Sequence, residues 1–126
     1  MKSAKDYMQA ANASVPRMGS EEAIAKHAAG QGVFIDVRDS AAIAQSGTIA
    51  GVNRIPRGMI EFRADPAVEA YYDPIFQKDA EICLICGVGG QAALAGKTLQ
   101  EMGYQNVTNI GGFSAWKEAG GPVEAG

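Results

Sequence analysis

Two short and almost wholly apolar runs constrain the fold of this chain more than any other feature. They are Val33-Phe34-Ile35-Asp36-Val37 and Ile82-Cys83-Leu84-Ile85-Cys86. Runs of this length predict strands that are buried on both faces, which is typical of a parallel sheet. Helical patterns begin at Ser20, after Pro16, and again at Gln91. Because strands alternate with helices, the sequence predicts an α/β fold with a parallel sheet.

Charge and hydropathy exclude some classes of partner. The 126 residues carry 11 basic and 14 acidic side chains, a formal charge of -3, and no run of lysines or arginines. This balance argues against a nucleic-acid or anionic-membrane surface. No stretch approaches the ~20 apolar residues of a membrane span, and the N-terminus lacks the apolar core of a secretion signal. We therefore expect a cytoplasmic protein. The length fits one domain over residues 15–126, preceded by an N-terminal arm or helix over residues 1–14.

The most informative unit is a strand, a cysteine, a glycine-rich loop and a helix. Cys86 ends its strand, and ligands of open α/β sheets bind beyond such strand ends. The loop and first helical residues that follow are Gly87, Val88, Gly89, Gly90, Gln91 and Ala92. Glycines let successive backbone N–H groups point inward as an anion-binding nest at a helix N-terminus. Such a nest favours a thiolate, so Cys86 is the candidate nucleophile. The alternative is a small apolar residue that ends a buried strand, but the glycine run argues against it.

The second cysteine is a poor partner for the first. Cys83 precedes Cys86 by three strand positions, so the two sulfurs point to opposite faces and their Cα atoms lie about 10 Å apart, too far for a disulfide. Two cysteines and one distant histidine, His27, are also too few for a zinc site. We expect neither a metal ion nor an organic cofactor.

Five segments together resemble, in order, the motifs of single-domain rhodaneses. They are residues 33–38, residues 47–56, Cys86 with its loop, residues 103–107 and residues 111–120. The resemblance covers about residues 15 to 123. It implies a five-stranded parallel sheet with helices on both faces. It also implies a sulfurtransferase or sulfur carrier in which Cys86 takes a sulfane sulfur from a small anion of the thiosulfate or polysulfide type. The resulting persulfide then passes that sulfur to a thiol, cyanide or protein acceptor.

The sequence departs from the family pattern where charge matters. Loops in the family usually end in an arginine, but Gln91 stands there, and Thr48 replaces a usual histidine. Another arginine could compensate, since four of the five arginines fall between positions 38 and 63. Arg57 follows a strand end and is the first candidate for an anion contact, with Arg63 behind it. The alternative for these arginines is a solvated side chain or a structural ion pair. At the end of the first strand, Asp36 and Arg38 are candidates for a supporting role.

Other functions fit parts of the pattern. A rhodanese-like binding or regulatory module with weak catalysis would explain the missing loop arginine, but the retained cysteine and glycines argue against it. Phosphatases on the same fold grip phosphate with an arginine six residues after the cysteine, where this chain has Ala92. A thiol redox sensor would need a resolving thiol from another molecule, because Cys83 is badly placed. The sequence leaves the oligomeric state open.

Overall fold

The structure is a computed structural model that describes all 126 residues. Four parallel strands form the main sheet, in the spatial order β3-β1-β4-β5. Their bounds are Val33–Asp36 for β1, Asn53–Arg54 for β3, Ile82–Cys86 for β4 and Val107–Gly112 for β5. A separate antiparallel pair joins β2 (Thr48–Ile49) to β6 (Val123–Glu124).

Helices cover both faces of the main sheet. They are α1 (Ala4–Ser14), α2 (Ser20–Ala28), α3 (Ser40–Ser46), α4 (Ile60–Ala64), α5 (Gly90–Glu101) and α6 (Phe113–Glu118), with one 3-10 turn at Arg57–Met59. One core contains Leu84, Cys86 and Leu99 on the α4 and α5 side. The other contains Cys83 and Trp116 on the α2 and α6 side. The predicted α/β fold with a parallel sheet and helices on both faces is confirmed.

The expectation of five strands in that sheet is wrong. At the outer edge of β5, where a fifth strand would lie, Arg17 forms only a single parallel bridge with Asn109. The carbonyl of Pro16 accepts a hydrogen bond from the N–H of Asn109, and the N–H of Met18 donates to the carbonyl of Asn109. Pairing goes no further because Pro16 has no N–H to donate and α2 begins at Ser20.

Strand order places the ends of β1 and β4 at a point where the chain diverges. After β1 the chain crosses to β3 on one side, and after β4 it crosses to β5 on the other. Parallel α/β sheets bind ligands in the crevice that such a divergence opens. Cys86 is the last residue of β4, so the fold brings the candidate nucleophile to this edge. No helix is long and apolar enough to cross a membrane.

Candidate active site

The sulfur of Cys86 lies within a turn of backbone amides. The N–H of Gly89 donates to Sγ with an N···S distance of 3.0 Å, and the N–H of Ala92 donates to it at 3.3 Å. Ala92 belongs to the first turn of α5, whose N–H groups have no partner within the helix. Hydrogen bonds from these donors stabilise negative charge on the sulfur. Cys86 itself is only 1% exposed, so the amides act in a site with little competing water.

Gly89 gives the loop its course. Its φ of +101° lies in the left-handed region that side chains rarely adopt. In that conformation its N–H turns toward Cys86 while its carbonyl turns toward β5. There the side-chain amide of Asn109 donates to the Gly89 carbonyl at 2.9 Å. The buried Asn109 also accepts a hydrogen bond from the N–H of Gly111 at 2.8 Å, so one side chain joins the loop to β5.

The end of β5 also shapes the other half of the loop. A Cβ placed on Gly112 would lie 2.2 Å from the carbonyl oxygen of Gly87. The two backbones can therefore approach only because residue 112 has no side chain. Pairing between β4 and β5 shifts here, since Leu84 pairs with Asn109 but Cys86 pairs with Gly112. This shift is a bulge on β5, a feature that often lies beside active sites.

The remaining residues predicted for the anion-binding loop follow Cys86 in the chain, and their role in binding stays a prediction. Gly87 and Val88 are exposed, and the Val88 side chain is 91% exposed at the tip of the loop. Gly90 begins α5, and Gln91 follows it with its side chain exposed. No charged side chain occurs between Gly87 and Ala92. The hydrogen bonds that the loop donates to the sulfur come from backbone N–H groups.

Asp36 and Arg38 form a buried ion pair that belongs to the scaffold. Nη2 of Arg38 lies 2.8 Å from Oδ2 of Asp36. Arg38 also donates to the carbonyl of Gly47 at 2.9 Å, and Thr48 Oγ1 donates to Asp36 Oδ2 at 2.7 Å. The guanidinium stacks over the ring of Phe113 at 4.9 Å. These contacts tie the end of β1 to the turn before β2 and to the start of α6. The carboxylate of Asp36 and the guanidinium of Arg38 neutralise each other within this network.

The structure does not bring Arg57 or Arg63 into hydrogen-bonding contact with the cysteine loop. Arg57 donates to Glu61 at 3.1 Å and to Thr98 at 3.0 Å. Thr98 lies more than two turns along α5 from the loop. Arg63 lies exposed in α4 without a hydrogen bond from its guanidinium. A role for either arginine in holding a donor anion stays a prediction.

Sequence reasoning missed Arg17, whose guanidinium lies against the loop. Its Nη1 is 2.8 Å from the position that a Cβ on Gly89 would take, and its Nη2 is 3.3 Å from the equivalent position on Gly111. The side chain has neither a hydrogen bond nor a carboxylate within salt-bridge distance. No local signal could have found it, because the approach depends on the bridge between Arg17 and Asn109, which are far apart in the chain.

Cys83 has the surroundings of an inert thiol. It is fully buried in the core on the opposite face of the sheet from Cys86, as its position on the strand predicts. Burial, together with the nearby Glu81 carboxylate, raises the pKa of the Cys83 thiol to about 11. Both cysteines are free, and no group of three or more histidine, cysteine or acidic side chains is arranged to hold a metal ion.

Comparison with known proteins identifies the family. A family model described as Rhodanese-like domain matches residues 20–119. The chain belongs to the rhodanese-like family. Among solved structures, the protein RPA3614 of Rhodopseudomonas palustris CGA009, described as a possible tyrosine phosphatase of unknown function, superposes with a TM-score of 0.92. It is 41% identical, and the match covers 98% of this chain and 96% of that one.

Two other rhodanese-like structures have names that state an activity. The polysulfide-sulfur transferase homodimer of Wolinella succinogenes matches with a TM-score of 0.74 and 26% identity over 97% of this chain and 87% of that one. The human single-domain sulfurtransferase TSTD1 matches with a TM-score of 0.71 and 25% identity over 82% of this chain and 96% of that one. A curated relative, the adenylyltransferase and sulfurtransferase UBA4 of Candida albicans, is 41% identical over 58 residues. That match spans 45% of this chain but only 13% of the relative.

Proposed function

We propose that this rhodanese-like protein transfers sulfane sulfur through a persulfide on Cys86. The thiolate attacks the outer sulfur of a donor such as thiosulfate, and a new S–S bond forms. The S–S bond of thiosulfate breaks, and its electron pair leaves on sulfite. Thiolate and thiosulfate dianion thus give the Cys86 persulfide anion and sulfite dianion, with no change in total charge. A polysulfide donor reacts in the same way and leaves a chain that is one sulfur shorter.

The second half-reaction restores the enzyme. A thiolate acceptor attacks the outer sulfur of the persulfide, and the S–S bond to Cys86 breaks with its electron pair returning to the cysteine. The acceptor leaves as a persulfide, or as thiocyanate when cyanide is the acceptor. Neither step needs a metal ion or an organic cofactor to balance.

The observation that carries this proposal is the pair of amide contacts on the sulfur. Gly89 and Ala92 donate to Sγ at 3.0 and 3.3 Å, in a turn that belongs to the start of α5. Donors that are already oriented toward a developing anion stabilise it without reorganisation during the reaction. The thiolate carries its charge on Sγ, and the same charge develops on Sγ again when the acceptor breaks the S–S bond, so one backbone arrangement favours both half-reactions. The polysulfide-sulfur transferase and sulfurtransferase names of two relatives agree with this chemistry.

The test is intact-protein mass spectrometry after incubation with thiosulfate or, separately, with polysulfide. We expect a gain of about 32 Da, the mass of one sulfur, that cyanide or dithiothreitol removes. Cys86→Ser should gain no sulfur, whereas Cys83→Ser is the matched control from the same strand and should load like the wild type. If neither donor loads a folded wild-type protein, the proposal fails and a binding or regulatory module is the better account.

A phosphatase is the competing enzyme, because the relative with a TM-score of 0.92 is described as a possible tyrosine phosphatase. Phosphate recognition in such sites relies on a bidentate arginine, and Gln91 and Ala92 occupy the candidate positions here. We therefore expect no Cys86-dependent hydrolysis of p-nitrophenyl phosphate. Hydrolysis that is lost in Cys86→Ser would favour the phosphatase instead.

A further inference from the structure

Arg17 is the cation that lies beside the cysteine loop without a partner. The residues on either side of it, Pro16 and Met18, each form one backbone hydrogen bond with Asn109, the residue that also holds the carbonyl of Gly89. Its side chain is exposed. The bridge to β5 thus positions an arginine beside the loop, although this arginine lies far from the loop in the sequence.

The guanidinium lies within reach of a ligand on Cys86. Nη1 is 2.8 Å from the Cβ position of Gly89, and the amide nitrogen of that glycine is 3.0 Å from Sγ. With standard bond lengths, these contacts place the guanidinium no more than about 8 Å from the sulfur. A persulfide extends roughly 2 Å beyond Sγ, and the sulfonate end of thiosulfate extends further. This upper limit on the separation allows the guanidinium to contact the anionic end of a donor bound at Cys86.

Acidic side chains pair with three of the other four arginines, and the fourth, Arg63, lies exposed on α4. Arg38 is paired with Asp36, Arg54 with Glu124 and Arg57 with Glu61. Arg17 has no carboxylate within salt-bridge distance, and the cysteine loop carries no charge of its own. An anion that approaches Cys86 therefore meets Arg17 as the adjacent charge that no acidic side chain neutralises.

We propose that Arg17 binds the anionic end of the sulfur donor and supplies the positive charge that Gln91 does not. This proposal rests on the sulfurtransferase function of Cys86 and names a specificity-determining residue for it. The substrate class is a small sulfane donor with an anionic end, such as thiosulfate. Because the guanidinium is planar and presents several N–H donors, it can hold two oxygens of a sulfonate at once.

The first test is steady-state transfer of sulfur from thiosulfate to cyanide. Arg17→Gln should raise the KM for thiosulfate about three- to tenfold, as expected for one screened charge at this distance, and should change kcat less than twofold. Arg17→Lys should retain most of the affinity. Lys78→Gln is the matched control because it removes the same charge at the far end of α5, about 18 Å from the loop, where Lys78 donates to the carbonyl of Met102.

A second readout does not depend on sulfur transfer. Iodoacetate is an anion and iodoacetamide is neutral, so the ratio of their alkylation rates at Cys86 reports the local charge. Arg17→Gln should lower the iodoacetate-to-iodoacetamide ratio about three- to tenfold, and Lys78→Gln should leave it unchanged. Adding Gln91→Arg to Arg17→Gln should restore both the ratio and the KM, because it returns an arginine to the loop.

The outcomes separate this proposal from the proposed function. A wild-type protein that transfers no sulfur overturns the function, yet its alkylation ratio still decides whether Arg17 charges the site. A wild-type ratio and KM in Arg17→Gln overturn the role of Arg17 while leaving the function intact. An equal change in Lys78→Gln, or a loss that Gln91→Arg does not repair, overturns it as well, since either result removes the link to charge at the loop.

Discussion

The two thiols of β4 have different surroundings although they stand three residues apart. Cys86 receives two backbone N–H groups at the carboxyl end of the strand. Cys83 faces the core on the other side of the sheet, where burial raises its pKa to about 11. The period of two along a strand is sufficient to assign these opposite faces from sequence. The opposite faces of the two thiols, and the glycine loop beside Cys86, could therefore be predicted before the structure.

Charged side chains were harder to place from the sequence. Arg57 follows a strand end, as expected, but its guanidinium pairs with Glu61 one helical turn away and with Thr98 on α5. Arg17 lies outside every motif and reaches the loop through a bridge to β5. A long flexible side chain can choose among several partners, so its position follows from tertiary contacts that no sequence window contains.

Cys83 should be unreactive in the folded protein. We expect iodoacetamide at pH 8 to modify Cys86 alone, with Cys83 modified only after unfolding in denaturant, because a buried neutral thiol supplies no thiolate. Peptide mass spectrometry of the alkylated protein measures both sites. Labelling of Cys83 at the same rate as Cys86 in the native state would contradict the prediction.

The raised pKa of Cys83 also predicts an alkaline loss of stability. The native thiol keeps its proton up to about pH 11, whereas the unfolded thiol loses it near its ordinary value of 9.0. The stabilisation that the neutral Cys83 thiol gives the folded state is therefore complete below pH 9. As pH rises from 9 toward 11, the free energy of unfolding falls by an amount of order 1 kcal/mol. In urea unfolding, the stability difference between wild type and Cys83→Ala should narrow over that range. A constant difference would contradict it.

Thr48 is predicted to act in the scaffold rather than in catalysis. Its hydroxyl donates to the buried carboxylate of Asp36 at 2.7 Å. Thr48→Val keeps the shape but removes this donor, and should lower the free energy of unfolding by about 1–3 kcal/mol. Thr48→Ser should retain most of the stability. Sulfur loading of folded Thr48→Val should stay within about twofold of wild type, and a large loss of loading without a loss of stability would assign Thr48 to the reaction instead.

At the scale of elements, short side chains decide how α1 lies on the domain. The helix packs along α5, where Met8 lies over Gly90 and Val15 lies over Gly96. The sequence predicts an arm or helix over residues 1–14 but not where it packs. A glycine on α5 leaves space for a neighbour without indicating which segment fills it. The missing fifth strand has a similar origin. Only the position of Pro16 and the start of α2, taken with the course of β5, reduce that strand to one bridge.

Gly96→Ala should loosen the packing of α1 on α5. A Cβ at this position would lie 2.9 and 3.0 Å from the two methyl carbons of Val15, which cannot easily move because β-branched side chains are stiff. Alanine favours the helix by about 1 kcal/mol, yet overpacking of about 1–3 kcal/mol should outweigh it.

A double-mutant cycle with Val15→Ala separates the clash from other effects. The two substitutions together should cost less than the sum of the single ones, by about 1 kcal/mol in urea unfolding. Additive effects would mean that α1 shifts away at no cost, contrary to the contact that the structure describes.

At the scale of the whole molecule, β6 near the C-terminus pairs with β2 and contacts the segment that follows β2. Glu124 on β6 accepts a hydrogen bond from the N–H of Gly51 at 2.6 Å and one from Arg54 at 2.9 Å. These contacts hold the pKa of the Glu124 carboxyl below its usual value, with the Gly51 N–H as the larger cause. The parallel α/β plan could be deduced from the order of strand and helix patterns. This pairing could not, because β2 and β6 are only two residues each and carry no periodic signal.

Acid should weaken these contacts of Glu124. A carboxylate whose native pKa is lowered stabilises the fold above its unfolded pKa, and that contribution disappears as pH falls through the native value. Glu124→Gln should therefore be less stable than wild type at pH 7, by less than about 1 kcal/mol because the side chains are partly exposed, and the difference should be smaller at pH 3. Urea midpoints at the two pH values measure the difference. An unchanged gap at pH 3 would mean that the carboxylate charge is not the cause.

The close approach of Gly112 to the carbonyl of Gly87 limits which residues homologous proteins can carry at this position. Any side chain at position 112 would overlap the loop that follows Cys86, since its Cβ would lie 2.2 Å from that oxygen. A homologous chain that carries a larger residue there must have a loop of different course. The residue at the end of β5 therefore sorts homologues by the shape of their cysteine loop, even where the loop sequences themselves look alike.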